Sequence, residues 1–304
     1  MSATIISGTE LAQSLRKEIS VEAETLSQRG ITPGLGVVLV GDDPASISYV
    51  RGKEKACAQV GIYTETLRMA AETSQETVLG TLAEMNQNSK FHGILVQLPL
   101  PSHIDEMRVI ESILPLKDVD GFHPANLGRL MIGKPRFKPA TPAGIVELLL
   151  RSGNSPEGKS VVIVGRSNIV GKPLANLLIQ KCEGGNATVT ICHTKTQNLG
   201  SYTSRADILV VAAGKPNTVS GSMIKSGAVV IDVGVNRVPD SSKKKGYRLV
   251  GDVDFESAKE VARAITPVPG GIGPMTITML LKNTVHAAKL QARELTETNS
   301  ERKE

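Results

Sequence analysis

Large aromatic side chains are scarce in this chain: there is no tryptophan, and only four phenylalanines and four tyrosines are spread over 304 residues. Cores must therefore be assembled from Val, Ile, Leu and Ala, which suits a parallel sheet covered by helices. The same scarcity removes the aromatic-studded basic stripe on which single-stranded nucleic acid stacks, so no nucleic-acid partner is expected. Cysteine is sparse too. Cys57, Cys182 and Cys192 are odd in number, widely spaced and free of any C-x-x-C pair. Neither a disulfide framework nor a metal site is indicated, and a reducing compartment fits. No apolar run approaches the roughly 20 residues that span a bilayer. The start, Met1–Gly8, lacks the charged first region and long apolar core of a signal peptide. A cytoplasmic protein without a membrane partner is expected. The charge imbalance is small, 35 Lys and Arg against 30 Asp and Glu, and the net +5 mildly favours anionic ligands. The one basic run, Lys243-Lys244-Lys245, stands between Pro239-Asp240 and Gly246 and reads as a solvated hairpin tip.

What is present reads as two α/β domains, for which 304 residues are enough. Leu11, Leu15, Ile19 and Leu26 recur at roughly helical spacing. Val37–Val40 is a buried strand closed by Gly41. Asp43 and Pro44 then open a helix that carries Ser48 to Gln59. A helix over about 76–86, a strand over 93–98 and a helical stretch near 107–114 follow. Alternating strands and helices predict a parallel sheet. Residues 117–141 read as a loop, and Pro142–Arg151 as a helix leading into the second domain. There, strands at 160–164, 187–192, 207–211 and 228–232 predict a doubly wound sheet of the Rossmann type. Residues 234–250 read as an irregular hairpin. Thr266–Pro274 is a loop because glycine and proline dominate it. The last helix is expected from Met275 to about Ala292, with a frayed polar tail over 293–304. No internal repeat is visible.

The most informative stretch is Ser160–Pro173. An apolar β-branched run ends at Gly165, a short polar loop follows, and Gly171 opens a helical pattern. The free N–H groups and dipole at such a helix start favour a phosphate, although the spacing is not G-x-G-x-x-G. The next strand ends in His193-Thr194-Lys195-Thr196, where NAD enzymes usually carry an acid for the ribose 2′-OH. A hydroxyl and a cation there, with Arg166 in the first loop, suit a 2′-phosphate, so the loop reads as an NADP site. The plainer alternative is that Gly165 and Gly171 only make a turn.

In the first domain, Tyr49 and Lys53 lie four apart on one helical face, at the carboxyl edge of the sheet. Ligands bind at such edges. Gln97 lies near the carboxyl end of another strand. Asp120, in Lys117-Asp118-Val119-Asp120-Gly121, precedes a glycine turn. Each has a plainer reading: Lys53 a solvated helix residue, Tyr49 a core edge, Gln97 a strand cap, Asp120 a turn former. The spacing alone does not show that they meet.

Six motifs in order resemble the bifunctional methylenetetrahydrofolate dehydrogenase/cyclohydrolase family, over the chain to about residue 292. They are Tyr49-x-x-x-Lys53, Val96-Gln97-Leu98-Pro99-Leu100, Lys117–Gly121, Pro139-Ala140-Thr141-Pro142-Ala143-Gly144, Val164-Gly165-Arg166-Ser167-x-x-Val170-Gly171-x-Pro173, and Pro269–Thr276. The family often has Cys where this chain has Ala140, Val where it has Ile272, and Ser where it has Thr194; none of these removes a reacting group. The resemblance implies a folate-binding catalytic domain over 1–141, completed by the C-terminal helix 275–292 packing back on it, and an NADP-binding domain over 142–274. It implies NADP-dependent oxidation of 5,10-methylenetetrahydrofolate, then hydrolysis to 10-formyltetrahydrofolate, within one-carbon metabolism and purine biosynthesis, by a homodimer.

It also implies roles. Tyr49 would stack on the aminobenzoyl ring and Lys53 would be the acid/base group. Gln97 would orient Lys53, and Asp120 would bind the pterin's amino edge. Val96, Leu98, Pro269, Gly270, Gly273, Pro274 and Thr276 would line the folate site. Arg166, Ser167 and Thr194 would hold the 2′-phosphate, with Gly165, Val170, Gly171, Pro173, His193, Ala213, Gly214, Gly234 and Val235 completing the nucleotide site. Two rivals stand beside this reading: a two-domain dehydrogenase of amino or hydroxy acids, and a non-catalytic binding protein on the same scaffold.

Overall fold

The computed structural model describes residues 2–243 and 246–301; Lys244 and Lys245 of the basic run, and residues 302–304 of the polar tail, lie outside the described residues. Eleven strands form along the described chain: β1 (Thr4–Ile5), β2 (Gly34–Val40), β3 (Tyr63–Met69), β4 (Gly93–Val96), β5 (Ser160–Val164), β6 (Thr188–Cys192), β7 (Ile208–Val211), β8 (Val229–Asp232), β9 (Asn236–Pro239), β10 (Tyr247–Val250) and β11 (Ala264–Ile265). Two compact units result, Ser14–Ala140 with Ile277–Glu304, and Met1–Gln13 with Thr141–Thr276.

The first unit holds a three-stranded parallel sheet in the order β3-β2-β4. All seven residues of β2 are buried, as its unbroken apolar run requires. Val38, Val40, Ile94 and Val96 pack with Val78, Leu82 and Met85 of the helix Gln75–Gln87. Each fully buried apolar side chain there contributes about 1.5–3 kcal/mol. Strand β3 is absent from the sequence reading. It lies on the sheet edge, and its Tyr-Thr-Glu-Thr-Leu-Arg-Met sequence is too polar to look like a buried strand. The expected loop 117–141 holds a helix, Pro124–Met131, capped by the His123 side chain.

The second unit is built on a six-stranded parallel sheet in the order β1-β11-β8-β7-β5-β6. The order reverses between β5 and β7, the kind of switch point at which α/β sheets bind ligands. The antiparallel pair β9–β10 forms the expected hairpin. The domain boundary expected at the N-terminus needs correction: residues 1–13 belong with the second unit. Thr4 and Ile5 pair with Ala264 and Ile265, too short a match to be legible beforehand. The last helix starts at Ile272 rather than Met275 and runs to Glu301, past Ala292; the sequence beyond Ala292 contains no glycine or proline to stop it. Among the described residues no helix is long and apolar enough to cross a membrane.

Candidate active site

In the first unit, the carboxyl end of β2 turns at Gly41 and re-enters as the helix Pro44–Gln59. Asp43 caps that helix by accepting from the Ser46 amide at 2.7 Å. Tyr49 and Lys53 follow on one face. Tyr49 is 36% exposed, and burial of the rest of the ring pushes its phenol upward. Lys53 is only 7% exposed. Its ammonium donates to Gln97 Oε1 at 3.0 Å. Gln97 sits one residue beyond β4, with its own amide on Val38 O and its side-chain amide on Leu98 O at 2.6 Å. That second contact fixes which end of the Gln97 amide faces Lys53. Val96 is buried at the strand end, and Leu98 leads into a cis peptide at Pro99.

Asp120 arrives from a segment running beside β4. Ile94 bridges Asp118 in parallel, and the Ile94 amide donates to Lys117 O at 2.8 Å. Two residues further on, burial pushes the Asp120 carboxyl up to about 6; the nearby Lys53 charge works against that rise and Asp118 adds to it. Burial lowers the Lys53 pKa, and Asp120 works to raise it. Desolvation wins at both groups, so each is biased toward its neutral form. An amine with a lowered proton affinity, an amide that aims it, and a carboxyl pushed up to about 6 are the groups from which an acid/base centre can be built. Thus Lys53, Gln97 and Asp120 form one cluster, with Tyr49 one helical turn before Lys53.

In the second unit, Gly165 follows β5 with a positive φ of 140° and donates to Cys192 O. A Cβ there would overlap the Ala212 carbonyl, and one on Gly171 would overlap the Gly165 carbonyl. Both positions require glycine, and the loop lies flat on its own backbone. Ser167 Oγ accepts from the Val170 amide at 3.1 Å, and Gly171 and Pro173 begin the helix Gly171–Leu178. Arg166 and Ser167 are exposed, as is Thr194 in the turn after β6; that turn is tied by His193 N to Thr196 Oγ1 at 2.9 Å. Ala213 and Gly214, after β7, donate their amides to Asp252 Oδ2 at 2.7 and 2.8 Å. Their carbonyls and surfaces, not these N–H groups, are left for a ligand. Gly234 packs on Asp252 where a Cβ would overlap the carboxylate, and Val235 is exposed. In the loop before the last helix, Gly270 O accepts from Thr9 N at 3.0 Å, Pro269 is exposed, and Gly273 and Pro274 are half-buried. Thr276 Oγ1 lies 3.0 Å from Thr141 Oγ1.

Sequence reasoning missed the aspartates that shape these loops. Asp118, 2% exposed, accepts from the amides of Gly121, Phe122 and His123 and from Asn126 Nδ2, at 2.8–3.2 Å. Asp252 is fully buried and also accepts from Asn236 Nδ2. Asp232 accepts from Gly234, Asp252 and Val253 amides, and burial pushes it up to about 6. The signal available was an aspartate at the start of a turn, which is common in any loop.

Comparison with known proteins gives two adjoining family matches. Residues 6–120 match the tetrahydrofolate dehydrogenase/cyclohydrolase catalytic domain, and residues 139–292 match the NAD(P)-binding domain of the same family. The bifunctional protein FolD of Syntrophus aciditrophicus is 56% identical over 96% of this chain and 99% of its own length. The methylenetetrahydrofolate dehydrogenase-cyclohydrolase of Trypanosoma brucei, solved with NADP cofactor and inhibitor, is 42% identical with a TM-score of 0.92, covering 96% and 99% of the two chains. The bifunctional enzyme of Campylobacter jejuni is 45% identical with a TM-score of 0.89, covering 95% and 100%.

Proposed function

The chain belongs to the tetrahydrofolate dehydrogenase/cyclohydrolase family, and from that premise we propose that the Lys53–Gln97–Asp120 cluster carries its folate chemistry. The protein is a methylenetetrahydrofolate dehydrogenase and methenyltetrahydrofolate cyclohydrolase that uses NADP. The observation that carries the site assignment is the 3.0 Å contact from Lys53 to Gln97 beside a carboxyl pushed up to about 6.

The residues present suit NADP. The Gly165 and Gly171 positions have no room for a side chain, the helix start at Gly171 favours a phosphate, and Arg166 is exposed beside it. No acid follows β6 to repel a 2′-phosphate. Arg166, Ser167 and Thr194 would hold that group, with the turn after β7 and the loop after β8 shaping the rest. NADP supplies the hydride acceptor.

Asp120 accepts hydrogen bonds from the pterin's ring N–H and amino group and so sets the register of the folate. Tyr49 stacks on the aminobenzoyl ring. In hydrolysis, neutral Lys53 takes one proton of the water that attacks the methenyl carbon and passes it to the ring nitrogen as the carbon–nitrogen bond opens; the remaining hydroxyl proton leaves to solvent as the formyl C=O forms. A neutral amine also tolerates the cationic methenyl compound better than an ammonium does. Gln97 Oε1 holds the Lys53 nitrogen on its side of the site. Neither rival accounts for this cluster within a segment matched by the catalytic-domain family.

Three finer readings belong here. Self-association through the second unit is supported by the outer edge of β6, which has no strand partner among the described residues, with Ile191 38% and Ile179 57% exposed nearby. Sedimentation giving a monomer at micromolar concentration would count against it. A cytoplasmic location is supported by the three free thiols. A supply of formyl groups to purine biosynthesis follows from the product. The direct test is the absorbance of purified protein mixed with methylenetetrahydrofolate and NADP. Cofactor reduction with a transient methenyl signal is expected; reduction with small hydroxy or amino acids instead would overturn the reading.

A further inference from the structure

One side chain of the terminal helix reaches the segment that carries Asp120. Asn283 is 9% exposed and lies on the helix Ile272–Glu301, far along the chain from Asp120. Its Nδ2 donates to Val119 O at 2.7 Å and to Lys138 O at 2.9 Å. Val119 O belongs to the peptide that links Val119 to Asp120. Lys138 O belongs to the peptide before Pro139. One amide therefore stitches together two segments of the unit.

The place of the stitch is informative. Gly121, with φ of 76°, lies so close to the second segment that a Cβ would stand 2.9 Å from Pro139 N. Asp118 secures the turn from within by accepting four N–H groups. None of those bonds engages the Val119–Asp120 peptide, whose rotation aims the Asp120 side chain. Among the described residues, Asn283 is the group that holds the carbonyl of that peptide. Its other bond anchors the same amide to the neighbouring segment, so the peptide plane is set by two fixed points.

The geometry points to Asn283 as a positioning residue for Asp120, holding the carboxylate in register for the pterin ring without touching substrate itself. The assignment rests on Asp120 binding the folate. Asn283→Ala removes both donors and leaves two carbonyls unpaired, and Asn283→Ser keeps one shorter donor. The loop then samples other peptide orientations, and the carboxylate spends less time where the pterin needs it. The loss falls on folate binding more than on turnover of bound substrate.

A double-mutant cycle tests this. Asn283→Ala, Asp120→Asn and the combination are measured for kcat and KM of both folate reactions, with NADP affinity and the thermal unfolding midpoint as controls. Asn283→Ala is expected to lower kcat/KM roughly tenfold, mainly through KM. In the Asp120→Asn background the same change is expected to cost less than about twofold, because residues acting through one another are not additive. NADP affinity stays as in the parent. If Asn283→Ala does not fold, Asn283→Ser carries the same cycle. An equal loss in both backgrounds, or unchanged folate kinetics, overturns the positioning role while leaving the site intact. No effect of Asp120→Asn alone overturns the site assignment instead.

Discussion

The two units solve a similar problem with opposite means. In the first, the cluster is titratable and largely withdrawn from water: Lys53 is nearly sealed, and Asp120 is pushed up to about 6 by burial. In the second, the groups proposed to hold the 2′-phosphate, Arg166, Ser167 and Thr194, are exposed, and the buried carboxyls of Asp232 and Asp252 accept from loop amides. The first unit needs shifted proton affinities, and desolvation is the largest cause of the shift at both Lys53 and Asp120. The second needs to hold anionic phosphates, for which backbone N–H groups and a solvated arginine suffice. Common to both is a buried aspartate that accepts several amides and fixes a loop, Asp118 in one and Asp252 in the other.

The largest effect expected from this contrast is at Gly171. Gly171→Val drives a side chain into the Gly165 carbonyl, and nucleotide binding should be lost. A folate analogue should still bind when the two are titrated separately. Joint loss would show that the phosphate loop supports the first unit's site as well.

Next come the two loop-fixing aspartates. Asp118→Ala leaves the Phe122 and His123 amides without their acceptor and takes one of two acceptors from Gly121 N and from Asn126 Nδ2, at a cost of about 3 kcal/mol or more. Chemical denaturation should show the loss, and folate KM should rise with NADP affinity kept. Asp252→Ala should do the converse, raising the NADP dissociation constant. If each variant weakens both ligands alike, the loops are not independent.

Arg166→Ala should weaken NADP roughly ten- to a hundredfold and leave NAD nearly unchanged, as expected for one charge-assisted contact to the 2′-phosphate. Equal loss for both cofactors would place Arg166 on the shared pyrophosphate.

The smallest effect is the pH dependence of folate binding. The Asp120 carboxyl is pushed up to about 6 from an ordinary value of 3.8, so it is charged above that pH and neutral below. A carboxylate that accepts two pterin donors binds less well once protonated. Folate affinity should fall as the pH drops through about 6, and Asp120→Asn should flatten that limb. Because Lys53 and Asp120 titrate together, the limb belongs to the pair. An unchanged limb in the variant would assign it elsewhere.

Much of this was legible beforehand where local pattern and final role coincide. β2 and β5 are unbroken apolar runs that end in glycine, and each is a buried central strand. The Tyr49–Lys53 face followed from helical spacing, and the use of NADP from what stands after β6. The illegible parts depend on distant partners. β3 is a polar edge strand, recognisable only beside β2. β1 is two residues long and exists because β11 accepts it. The convergence of Gln97 and Asp120 on Lys53 needed the bridge from Ile94 to Asp118. Asn283 had no local signal, since its partners are carbonyl oxygens that every residue carries.

The central claim is that buried Lys53 is the acid/base group of the first unit. The most direct test is hydrolysis of methenyltetrahydrofolate by Lys53→Met, corrected for the spontaneous rate, with folding and NADP affinity checked on the same sample. The amine contributes roughly 10²–10⁴-fold as a proton acceptor, so hydrolysis should fall to near background while NADP still binds. Near-parental hydrolysis by a folded Lys53→Met protein would contradict the account.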